Sequence, residues 1–226
     1  VMYNPVSILH TVQKLSNQVF DIAVFTLGTN HVYVEKATGE IVDNCQKRPQ
    51  KLFNEQELTI DEAANALREA IHLLRKQNPN VKVIVTVSPI RYAKYGFHGS
   101  QLSKATLLLA ADKLVREEGE AVYYFPAYEI VNDELRDYRF YKADMLHPND
   151  QAVEYIWERL VETCFSSEAK KFLEAWRPIK EALGHRPFNP DSETYRLFLE
   201  KTKEKARRLK LLYPDLEIDE EQLKQC

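Results

Sequence analysis

Residues 81–89 read VKVIVTVSP, a β-branched, almost wholly apolar run that Pro89 stops. A run of this length and composition predicts a strand buried on both faces, the kind found inside a parallel sheet. Upstream lies TIDEAANALREAIHLLRKQNP, residues 59–79. Thr59 with Glu62 three residues on predicts a capping box, Pro79 marks a stop, and Ala63, Leu67, Ala70, Ile71 and Leu74 give an apolar stripe. Further back, VFDIAVFTLG (Val19 to Gly28) reads as another buried strand, and VYVEKATGEIV (Val32 to Val42) as a small hairpin about Thr38-Gly39. Downstream, Ser103–Gly119 predicts a helix ended by its glycine, AVYYFPAY (Ala121 to Tyr128) a third strand, and a further helix starts near Asn149 and reaches about Cys164. Strands alternating with helices in this order predict an α/β fold with a parallel sheet and right-handed crossovers. From Ser166 the pattern is helical only: one piece to Gly184 with Pro178 inside it, HRPFNP as a linker, then Ser192 to Tyr213. Tyr195, Phe198, Leu199, Ala206 and Leu209 form a stripe that would face the α/β domain or a second copy of the chain.

The 226 residues allow one good-sized domain and an appendage, with boundaries placed at 1–165 and 166–226. Charge is nearly balanced, 31 basic against 34 acidic residues for a net −3, which points to neither nucleic acid nor an anionic membrane as partner. Cys45, Cys164 and Cys226 are far apart and form no C-x-x-C pair; this suits a reducing, cytoplasmic compartment. No segment has the apolar length of a membrane span, and no signal peptide is evident. The chain opens VMYNP with no initiator methionine before Val1, so a preceding segment is expected.

The chemistry is expected at the carboxyl ends of the strands. Asp144 and His147, in DMLHPND (144–150), lie in the loop before a helix. A carboxylate accepting from Nδ1–H holds an imidazole in one tautomer and leaves Nε2 free to act as a base; a capping loop with an incidental histidine fits the spacing equally well. TLGTN (Thr26 to Asn30) follows the first strand. Gly28 lets backbone come close to a ligand there, and Asn30 offers an NH₂ donor to an oxyanion, although an ordinary tight turn has the same look. Arg91, after the second strand, would bind a substrate carboxylate or pair with an internal aspartate. Tyr123, Tyr124, Phe125, Tyr138, Phe140 and Tyr141 read as core or as the lining of a sugar cleft. His31 reads as structural. A metal site of His31, Asp144 and His147 lacks any H-E-x-x-H-like pattern, so no metal is expected. Cys45, beside Lys47 and Arg48, reads as an inert thiol or as a thiolate nucleophile. The basic residues between Lys201 and Lys210 are interrupted by Glu204 and read as a solvated face.

Taken together, YNPVSI, FTLGTNHVY, TVSPIRY, QLSKATLL, YFPAYEI and DELRDYRFYKADMLHP resemble the GSCFA domain family of bacterial proteins, over about Tyr3 to Phe165. The resemblance implies the SGNH-hydrolase (GDSL-like) superfamily and a flavodoxin-like three-layer α/β/α sandwich, here with a C-terminal helical extension. It implies a Ser-His-Asp ester hydrolase without a cofactor, acting on a small-molecule or carbohydrate ester such as an acylated carbohydrate. Asp144 and His147 match the superfamily's D-x-x-H, and Gly28 and Asn30 its oxyanion G-x-N. The Gly-Ser-Cys-Phe-Ala motif that names the family, with the serine nucleophile, does not occur in these 226 residues. Ser88, Ser100 and Ser103 do not occupy its place. The alternative is a carbohydrate-binding or interaction domain that keeps the hydrolase fold without its activity, with a homodimer through the C-terminal helices as a further expectation.

Overall fold

The computed structural model describes residues 4–15, 17–42, 45, 48–184, 188–189 and 192–218. Expectations that rest on Val1, Met2, Tyr3, Lys47, residues 185–187 and 190 of the HRPFNP linker or Cys226 lie outside them. The chain divides into two compact units, 1–158 and 159–226.

The first unit opens with α1 (Pro5–Lys14), which sequence reading passed over. Its start is nonetheless written in the chain: Asn4 Oδ1 accepts from Ser7 N at 2.8 Å, Ser7 Oγ accepts from Asn4 N at 3.1 Å, and Pro5 takes the first helical position. Strand β1 (Ile22–Leu27) follows, then β2 (His31–Glu35), β3 (Ile41–Val42) and β4 (Phe53–Glu57). The expected hairpin pairs β2 with β3, and β4 adds itself antiparallel to the other edge of β2. FNEQE carries one apolar residue in five, so β4 shows no strand periodicity; its order comes from pairing.

Helix α2 (Ile60–Gln77) starts on the expected box, with Glu62 N donating to Thr59 Oγ1 and Thr59 N to Glu62 Oε2. It leads to β5 (Lys82–Val87), α3 (Gly96–Glu118) and β6 (Val122–Phe125). α3 begins seven residues earlier than expected. Its cap, Tyr95, makes no side-chain capping bond, and Gly96 enters with φ 67°, so no start signal stands in the sequence. α4 is a single turn, Ala127–Glu129, that runs into a π-turn over Ile130–Leu135. α5 (Asp150–Cys164) closes the unit and reaches into the next.

The main sheet is parallel in the order β1-β5-β6. The register sets Ala23, Phe25 and Leu27 beside Val83, Val85 and Val87 on one face. These join Leu67, Ile71, Leu107 and Leu114 of α2 and α3 in the main core. Each such fully buried side chain contributes about 1.5–3 kcal/mol. The opposite face is covered at Thr86 and Phe125 but open at Ile22 (62% exposed) and Val24 (55%). The described residues thus complete one flanking layer and part of the other. The small sheet sits over the start of α2, where Val32 packs with Leu58, Ala63, Ala64 and Ala110.

The second unit pairs α6 (Ser167–Gly184) with α7 (Glu193–Leu212). α6 runs through Pro178, and α7 is capped by Ser192. Of the predicted stripe, Ala206 and Leu209 pack with Ile179, Phe172 and Trp176 of this unit, while Phe198 stays exposed.

Candidate active site

The loop between the π-turn and α5 is closed on itself by backbone hydrogen bonds. Lys142 N donates to His147 O at 2.8 Å, Met145 N to Lys142 O at 2.9 Å, and Asn149 N to Phe140 O at 2.8 Å. Asn149 Nδ2 also donates to Arg139 O, and its Oδ1 accepts from Ala152 N, which caps α5. Within this frame Asp144 folds back on the residues that follow it. Oδ1 accepts from Leu146 N (2.9 Å) and His147 N (3.0 Å); Oδ2 meets His147 Nδ1 at 2.6 Å. Met145 is driven to φ 60° to make the turn. The two backbone N–H donors, with the imidazole after them, hold the Asp144 carboxyl down at about 2. Both side chains are half-exposed, and His147 Nε2 bonds no described residue. An acceptor on Nδ1 and an open Nε2 is the arrangement a general base needs.

Arg91 ties this loop to the end of β5. Its backbone N donates to Leu146 O (3.1 Å) and its Nη1 to Met145 O (3.0 Å). The internal aspartate expected for it is not among its described partners; carbonyls and aromatic rings take that place. The guanidinium lies over Phe97 at 4.1 Å, with Tyr141 and Tyr138 at 5.7 and 5.8 Å. Beside it opens a cleft of about 240 Å³ lined by Arg91, Arg136, Asp137, Tyr138 and Tyr141 among others. Of the aromatics expected in a cleft, Tyr138 and Tyr141 line this one. Phe125 and Phe140 are core, and Tyr124 donates its hydroxyl to Glu129.

The Gly28–Asn30 loop is built from buried groups. Asn30 is 2% exposed. Its backbone N donates to Ser103 Oγ (2.9 Å), its Nδ2 to Leu58 O (2.9 Å), and its Oδ1 has no hydrogen-bond partner among the described residues. So one of the two Nδ2 N–H groups of Asn30 ties this loop to Leu58, which follows β4. Gly28 O accepts from Lys104 Nζ at 2.5 Å. Lys104, which sequence reading did not single out, is buried on α3 with its ammonium 5.2 Å from the Tyr92 ring centroid; burial pushes it down to about 7. The signal was present: Lys104 falls three residues before Leu107 and seven before Ala111, on the apolar face of its helix.

His31 stacks on Tyr95 with ring centroids 3.5 Å apart and lies 3.9 Å from Glu55 Oε1. Its described ring contacts are with Glu55 of the small sheet and with Tyr95 before α3, and Asp144 is not among them. No group of three metal-ligating side chains occurs among the described residues. No serine hydroxyl among them bonds His147. Ser88 Oγ accepts from Ile90 N, Ser100 Oγ from Tyr92 N, and Ser103 serves Asn30. Cys45 is a half-buried free thiol near Arg48, whose Nη1 pairs with Glu35 at 2.6 Å. No described helix is long and apolar enough to cross a membrane.

Two solved structures resemble this fold at low identity. One is a carbohydrate esterase family 3 protein from Talaromyces cellulolyticus: 16% identity, TM-score 0.43, covering 70% of this chain and 64% of that one. The other is a candidate platelet activating factor from Streptococcus pneumonia: 12% identity, TM-score 0.39, covering 69% of this chain and 90% of that one. The chain therefore spans a little under two thirds of the length of the Talaromyces protein. No curated protein sequence matches it. The description "GSCFA family" matches residues 1–160, and "GSCFA domain protein, C-terminal domain" matches residues 176–224. With most of its length matched in this way, the chain belongs to the GSCFA family.

Proposed function

We propose that this protein is an acyl-ester hydrolase of the serine type, acting on an acylated carbohydrate. The observation that carries the reading is the 2.6 Å contact from Asp144 Oδ2 to His147 Nδ1 with Nε2 left open. In this reading His147 takes the proton of an attacking serine and returns it to the leaving alcohol. Asp144 keeps the imidazole in the Nδ1–H tautomer and stabilises the imidazolium as it forms. The remaining N–H of Asn30 and backbone near Gly28 would hold the oxyanion. Because Ser88, Ser100 and Ser103 are engaged in the scaffold, the reading assigns the hydroxyl to the Gly-Ser-Cys-Phe-Ala segment that gives the family its name.

The experiment is hydrolysis of p-nitrophenyl acetate by protein carrying that segment. His147→Ala should lower kcat by about 10³-fold or more, since an unassisted serine is a poor nucleophile. The 226-residue chain alone should be inactive. Hydrolysis that survives His147→Ala refutes the assignment. Binding of acylated sugars without turnover would favour a binding module on the same fold.

A further inference from the structure

Among the described residues only two non-glycine residues have positive φ: Arg136 (φ 44°) and Met145 (φ 60°). Each is tied to the cleft at Arg91. Arg136 lines it, and Met145 O accepts from Arg91, which also lines it. The rare π-turn over Ile130–Leu135 ends at Arg136, whose N donates to Val131 O at 3.0 Å. Left-handed backbone at a long side chain is costly, and π-turns gather at functional sites. The π-turn and Arg136 border one concavity, and Met145 holds Arg91 at it through its carbonyl. Two guanidinium groups line that concavity.

Neither arginine has a carboxylate partner among the described residues. Arg91 commits one of its five N–H groups, to Met145 O, and is braced by Phe97 and the two tyrosines. Arg136 is exposed. Asp137 is the acidic group of the lining; two positive charges against one leave a net single positive charge. That balance suits a monoanion such as a carboxylate better than a dianionic phosphate, and a guanidinium fork matches a carboxylate edge. The aromatic walls of Tyr138 and Tyr141 suit the apolar face of a sugar ring.

We propose that this cleft is a subsite for the carboxylate of an acidic sugar, held by Arg91 and Arg136. The assignment deepens the esterase reading: the acylated carbohydrate would be a uronic-acid-type sugar, its carboxylate anchored in the cleft and its ester presented to His147.

The test uses a probe with no ester, so that binding and hydrolysis fail separately. Calorimetry or NMR titration compares methyl glucuronoside, methyl glucoside and inorganic phosphate on the full chain and on Arg136→Gly. Glycine tolerates the left-handed backbone, so this variant keeps the fold and should melt at a higher temperature while binding methyl glucuronoside about tenfold more weakly or worse. Arg91→Lys should weaken binding as well, because a point charge cannot replace the fork. Methyl glucoside should not compete. Equal binding of the glucoside, undiminished binding by Arg136→Gly, or phosphate binding tighter than the glucuronoside would overturn the proposal. Glucuronoside binding by His147→Ala protein supports the subsite whatever becomes of the hydrolysis.

Discussion

Replacing Lys104 by methionine tests how the Gly28–Asn30 loop is held. Lys104 is 2% exposed, and among the described residues no carboxylate pairs with it. Its described partners are the Gly28 carbonyl and the face of Tyr92. Burial moves its titration from 10.5 to about 7. At about 1.4 kcal/mol per pH unit, that difference costs the folded state about 4–5 kcal/mol at neutral pH. The sign follows from proton counting. Between about 7 and 10.5 the unfolded chain holds the proton and the folded chain does not, so stability rises with pH across that window. From pH 7 to 9.5 the gain should be about 3 kcal/mol. Above about 10 the buried tyrosines reverse the trend: Tyr92 and Tyr128 are pushed up by burial, so they keep protons that the unfolded chain loses. In Lys104→Met the slope should vanish. The variant should be about 2 kcal/mol more stable at pH 7, the removed penalty being offset by about 1–3 kcal/mol for a Gly28 carbonyl left without its donor. Urea unfolding followed by circular dichroism between pH 6 and 9.5 reads both quantities. A wild-type protein of constant stability from pH 7 to 9.5, or a variant with the wild-type slope, refutes the argument.

Other outcomes follow from the same geometry. Asp144 should titrate at about 2 in a carboxyl-detected NMR experiment, because Leu146 N and His147 N donate to it. Its stabilising bonds are then complete above the ordinary carboxylate value and are lost only as pH falls through about 2; a midpoint near 3.8 would mean that the turn does not form in solution. Asp144→Asn should lower kcat toward p-nitrophenyl acetate by about 10³–10⁴-fold with little change in KM, and a comparable loss in KM instead would make the residue a substrate contact. Thr59→Ala should cost about 1 kcal/mol in urea unfolding by removing the cap of α2, and no change would mean that the cap carries no stability.

What could be read from the sequence was local and periodic. Thr59 and Glu62 announced α2 because a capping box is completed within four residues. Val81–Pro89 announced β5 because a short, β-branched, almost wholly apolar run is the local mark of a strand buried on both faces. The Asp144–His147 spacing made their contact readable, beside an equally fitting capping loop, because the turn that joins them lies between them. What escaped depends on partners far along the chain. β4 is a strand because β2 pairs with it. Arg91 meets carbonyls and rings rather than an aspartate because the loop after Phe140 folds over it. Arg136 reaches its left-handed conformation only as the π-turn closes, and nothing in NDELRD distinguishes that from an α-helical end. Lys104 looked like an ordinary helix residue. Only the question of which face of α3 it occupies would have raised it.

The two loops at this sheet edge are held by opposite means, and the difference bears on what Asp144 can contribute. Around Gly28 the fixing groups are buried: Ser103, Asn30 and Lys104 hydrogen-bond inside the protein, where such bonds are strong and hard to rearrange. Around His147 the fixing groups are backbone amides at the surface, and the Asp144 and His147 side chains are 44% and 52% exposed. In that setting water screens the charge of Asp144, so its Coulombic pull on an imidazolium is modest. Its geometric role is not screened. Two backbone donors pin one carboxylate oxygen and thereby aim the other at Nδ1. Asparagine at this position could still accept from both amides through its oxygen, but it would turn an N–H donor toward the ring and demand the other tautomer. Asp144 therefore matters first for which nitrogen carries the proton. Its electrostatic contribution grows only when a bound substrate excludes water from the site.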